Sequence, residues 1–103
     1  MADPKPFPAA GASEAEVEAY LESVGYQLTV KLRTPVPLGD MTYTEMTVRE
    51  PTAAEWLRWD KLTGIEADIT AVSIVAGVPD PVVRQIGASS LMKASRFIQL
   101  FLA

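Results

Sequence analysis

Between Tyr26 and Arg33 the chain alternates without a break: Tyr26, Leu28, Val30 and Leu32 against Gln27, Thr29, Lys31 and Arg33. A period of two places the apolar set on one face and predicts a half-buried β-strand. Thr34-Pro35-Val36-Pro37-Leu38-Gly39-Asp40 follows. Two prolines and a glycine do not fit a central strand, so this stretch is expected to turn the chain. Met41 to Arg49 is rich in threonine and β-favouring residues and predicts a second strand. Its phase slips: Met41 and Tyr43 share one side, Met46 and Val48 the other. The slip predicts a bulge or a late strand start near Thr44-Glu45. A lone hairpin is marginal in water, so helices or a second chain must cover its apolar face.

The remaining periodicity is helical. Ser13 followed by Glu16 is a capping box, and Val17, Tyr20, Leu21 and Val24 predict a helix over 14–24 that Gly25 stops. Its glutamates at 14, 16, 18 and 22 read as a solvated acidic face, because nothing nearby would desolvate or orient them for catalysis. Thr52 and Glu55 form a second capping box. The helix it opens is expected to carry Trp56, Leu57, Trp59 and Leu62 and to close at Gly64, with Trp56 and Trp59 on one side. The hairpin face Tyr26, Leu28, Val30 and Leu32 is expected to pack on this helix. Ile65, Ile69, Val72 and Ala76 form one stripe of the next helix; Ile74, Val75 and Val78 add apolar surface on other sides, which predicts burial nearly all round. Gly77 and Pro79 end it. Asp80 as N-cap and Pro81 at N1 begin a short helix through Val82, Val83 and Ile86 to Gly87. Ser89 or Ser90 is expected to cap the last helix, which carries Leu91, Met92, Ala94, Phe97, Ile98, Leu100, Phe101 and Leu102.

These elements predict an α+β fold: an N-terminal helix and a two-stranded antiparallel hairpin, then a bundle of about four short helices. Residues 1–12 have prolines and alanines but no hydrophobic period and predict a flexible arm, with Phe7 its one anchor for any docking role. Residues 13–103 are read as a single α+β domain, with the hairpin over 26–49 and the helical part over 52–103.

Composition narrows the chemistry. The chain of 103 residues has no cysteine, which removes disulfides and thiolate metal sites, and no histidine, the commonest general base and metal ligand. A Ser-His-Asp triad is therefore unavailable. Ser90 and Lys93 at i, i+3 leave a Ser-Lys pair formally open, at a spacing expected by chance. Asp40, Glu45 and Glu50 lack calcium-loop spacing, and the glycines form no phosphate-binding loop. The expectation is a non-enzyme with no cofactor and no metal. The net charge of −4 disfavours nucleic acid. The opening residues lack the pattern of a signal peptide, and no apolar run reaches membrane length, so no membrane contact is expected.

Tyr26-Gln-Leu-Thr-Val-Lys-Leu32, the Pro35/Pro37 stretch, Tyr43-Thr-Glu-Met-Thr-Val-Arg-Glu-Pro-Thr52 and the helices behind them resemble the tail assembly chaperones of tailed phages. The resemblance is to the small proteins of Mu-like and P2-like contractile tails, whose two-strand opening ends in arginine-x-proline-threonine. It covers roughly residues 26–102, including Gly77–Ile86 and Ala94–Leu102. The Arg49-x-Pro51-Thr52 element also reads as a strand exit followed by a helix cap. The chain departs from the family at Ala88-Ser89-Ser90, where an acidic residue often begins the next helix.

The resemblance implies a chaperone that binds the tape measure protein in the cytoplasm of the bacterial host and holds it ready for tail-tube assembly. The tail tube protein is a second candidate partner, and self-association is left open. A minor structural tail or baseplate component, or an unrelated small adaptor or antitoxin-like protein, are the alternatives. Candidate partner-binding residues are Phe97, Ile98, Phe101 and Leu102, a dense apolar cluster, with Trp56 and Trp59 as interface anchors or core.

Overall fold

The alternating stretch forms a strand that runs further than its prolines suggest. The computed structural model describes residues 5–102; the first four residues of the expected arm and Ala103 lie outside the described residues. Strand β1 (Gln27–Leu38) pairs antiparallel with β2 (Met41–Arg49). One ladder runs from Gln27 opposite Arg49 to Lys31 opposite Glu45, a second from Val36 opposite Tyr43 to Leu38 opposite Met41. Between them Leu32, Arg33, Thr34 and Pro35 face Thr44 alone, so the irregularity expected near Thr44-Glu45 exists with its surplus residues on β1.

The turn expected over residues 34–40 is corrected to Gly39-Asp40, a two-residue loop. Pro35 and Pro37 lie inside β1 because the sheet of the described residues has two strands. Each strand therefore has an edge where a missing N–H breaks no ladder bond. The bulge also accounts for the phase slip: Leu28 and Val30 oppose Val48 and Met46 before it, while Val36 and half-buried Tyr43 oppose each other after it.

Among the described residues five helices complete the α+β fold: α1 (Glu14–Ser23), α2 (Ala53–Trp56), α3 (Gly64–Ala76), α4 (Asp80–Val83) and α5 (Ala88–Gln99). Both capping boxes form, Ser13 with Glu16 and Thr52 with Glu55. Helix α2 is a single turn and does not reach Gly64. Bonds to the third residue back, at Arg58, Trp59 and Leu62, tighten the chain after it. Gly64, with φ +64°, opens α3 rather than closing the preceding helix. Pro79, not Asp80, is the N-cap of α4, and Gly87, not Ser89 or Ser90, precedes α5; Ser90 is buried.

The hairpin packs on α3 and α5, with α4 also touching β1. The expected packing of the hairpin on the helix of Trp56 and Leu57 is thereby corrected: Tyr26 and Leu57 are exposed and Trp56 turns to solvent. Phe97, Met46, Ile98, Val48, Val72, Val82 and Val83 are fully enclosed. Full burial of such a side chain contributes about 1.5–3 kcal/mol. Phe97 meets Tyr20 and Phe101 edge-on, with centroids 6.3 and 5.5 Å away. The Ser95 hydroxyl donates to Asp68 Oδ1 at 2.6 Å and ties α5 to α3. Phe7 of the expected arm lies edge-on to Tyr20 at 5.3 Å, and the Lys5 amide donates to Ser23 Oγ at 3.2 Å.

Candidate partner-binding surface

The junction after β2 is built by one arginine. Arg49 leaves the strand and reaches past Pro51 to α2. Its Nη1 and Nη2 donate to Glu55 Oε1 and Oε2, both at 2.9 Å. Glu55 Oε1 also accepts from the Thr52 amide at 2.9 Å, and Thr52 Oγ1 accepts from the Glu55 amide at 3.1 Å. The Arg49 fork, then the Thr52 amide, lower the Glu55 pKa to about 2. Arg49-x-Pro51-Thr52 is thus a strand exit fastened to a helix cap, and it fixes where α2 leaves the sheet.

Just beyond this lock the chain places apolar side chains in solvent. Trp56 is 43% exposed, Leu57 73%, Leu62 43% and Ile65 66%. The two tryptophans, expected on one side, are separated: Trp59 is 6% exposed. The cause is local, because α2 ends at Trp56 and the tightened turn carries Trp59 inward. On the far side of this stretch Arg84 forks onto Glu66 at 3.1 and 2.9 Å and pairs with Asp80. The Arg84 fork holds the Glu66 pKa below its ordinary value, and the three bonds fix α4 against the start of α3.

The C-terminal candidates divide. Phe97 and Ile98 are buried in the core of the chain itself, so they offer no free surface; Phe101 and Leu102 are half-buried against that core. Of the six candidates Trp56 alone is exposed. The apolar spacing places Leu57, Leu62 and Ile65 on helices that cover the core, yet all three are exposed. Their exposure follows from the one-turn length of α2 and the left-handed Gly64, neither of which the apolar spacing signals.

The two residues of the formal Ser-Lys pair differ in environment. Ser90 is buried while Lys93 is exposed. Among the described residues no group of three or more Asp or Glu side chains could hold a metal ion. No helix of the described residues is long and apolar enough to cross a membrane.

A second feature is backbone strain at Tyr26, whose φ is +61°. The left-handed region costs a non-glycine residue about 1–2 kcal/mol. The strained turn lets the Tyr26 hydroxyl donate to Glu18 Oε1 at 2.6 Å, and that bond raises the tyrosine pKa. Tyr26 thereby ties the middle of α1 to the start of β1.

No protein-family model matches this chain, and neither a curated protein nor a solved structure matches it.

Proposed function

We propose that this protein is a phage tail assembly chaperone that binds the tape measure protein through the exposed apolar side chains of residues 56–65. One observation carries the binding role: Trp56, Leu57, Leu62 and Ile65 stay in solvent between the end of α2 and the first turn of α3. Single exposed apolar residues are ordinary on any surface, but such a concentration marks a contact surface. The resemblance of the strand exit and helical half to tail chaperones supplies the identity of the client. A long helical protein offers apolar stripes, and a groove or ridge of exposed aliphatic and aromatic side chains suits them. The host cytoplasm is where such a client would be held.

Co-expression with a phage tape measure protein, followed by pull-down, tests the reading. Leu57→Asp combined with Ile65→Asp should reduce client recovery by about tenfold or more, since a central apolar anchor is worth 2 kcal/mol or more. Circular dichroism should be unchanged, because both positions are exposed. Undiminished recovery by the double variant, or failure of the wild-type chain to bind the client, would overturn the proposal.

A further inference from the structure

We infer that the open edge of β1 is a docking site for an acidic peptide in extended conformation, which adds as a third strand beside Leu28–Lys31. A groove of about 520 Å³ is lined by the successive residues Leu28, Thr29, Val30 and Lys31, with Phe7, Lys93 and Arg96 across from them. Side chains of a strand alternate between two faces, so a groove touching four in succession runs along the backbone edge. In an antiparallel pair, alternate residues turn their N–H and C=O away from the partner strand. With β2 on one side, those groups of β1 point into the groove. Among the described residues no backbone bond from a helix or loop reaches residues 28–31.

Charge selects the occupant. Lys31, Lys93 and Arg96 are exposed around the groove, and among the described residues none forms an ion pair. Glu45 lies opposite Lys31 in the ladder without closing a bridge to it. Lys93 and Arg96 are one turn apart on α5, so three like charges converge on one edge of a chain whose net charge is −4. A basic rim of this kind favours an anionic occupant. Phe7 and half-buried Leu28 add apolar contact for alternate side chains of the guest. The uninterrupted ladder runs over Gln27–Lys31, where the bulge ends it. A guest strand can pair over that length, which is ordinary for a strand. This mode is β-augmentation, with affinity from the main chain and selectivity from the basic rim. It is independent of the chaperone reading, and its assay contains no client protein.

The probe is a fluorescein-labelled peptide of about ten residues alternating valine and glutamate. A valine–lysine repeat and an N-methylated valine–glutamate peptide serve as controls. Saturable anisotropy with the glutamate peptide alone is expected, together with slowed amide exchange within residues 28–31. Lys93→Glu with Arg96→Glu should weaken binding by about tenfold or more and leave circular dichroism unchanged. Equal binding of the N-methylated peptide would overturn strand addition, since charge alone would then suffice. Tighter binding of an oligothymidylate would assign the groove to nucleic acid instead. A dimer in light scattering, with residues 28–31 already protected, would assign the edge to a second copy. Absence of binding at millimolar glutamate peptide would also refute the site.

Discussion

Truncating Phe97 to alanine removes the ring at the centre of the aromatic contacts between α1 and the end of α5. Its side chain is fully enclosed, and Tyr20 and Phe101 meet it edge-on. Removing a buried phenylalanine costs about 3–5 kcal/mol, through lost burial and the cavity left behind. A domain of this size has roughly 5–15 kcal/mol in total, so Phe97→Ala should remove a large share of it. At about 4–8 °C per kcal/mol the melting temperature should fall by roughly 12–40 °C. Urea unfolding followed by far-UV circular dichroism reads the change as a lower midpoint at similar slope. Trp56→Ala, at an exposed site, should stay within about 0.5 kcal/mol of wild type. If Phe97→Ala costs less than about 1 kcal/mol, the ring does not close the core and is available to a partner after all.

Two further outcomes concern stability. The Glu55 carboxyl has its pKa lowered from 4.5 to about 2 by Arg49 and the Thr52 amide, so its contribution is present above pH 4.5 and lost as pH falls toward 2. Glu55→Gln should flatten that acid limb in pH-dependent urea melts, by less than about 1 kcal/mol because the pair is screened by solvent. Gly77 ends α3 at φ +67° with open space around an added Cβ, so Gly77→Ala should cost about 1–2 kcal/mol from the backbone alone, measured by thermal melting.

Much of the local structure is legible because its causes are local. The alternation of Tyr26–Leu32 and the paired Ser13/Glu16 and Thr52/Glu55 contacts are set by residues a few positions apart. The prolines mislead because steric exclusion from a sheet depends on how many strands flank them, which is a property of the whole fold. Gly64 reads equally as a stop or a start, since a left-handed residue serves at either side of a break. The candidate surface is harder still. Apolar spacing marks Phe97, Ile98 and Trp56 alike, yet exposure depends on which side of each helix the hairpin covers. The cations around β1 come from sequence-distant segments, so no local pattern announces their convergence.

The interrupted ladder also limits what can grow on this hairpin. A long flat edge would template sheet after sheet and lead toward fibrils. Here the surplus residues at 32–35 bend β1, and Pro35 and Pro37 remove two amide donors from its distal half. A strand seated beside Gln27–Lys31 therefore meets a steric stop before it can extend. The hairpin keeps a short usable seam while its outer half resists aggregation.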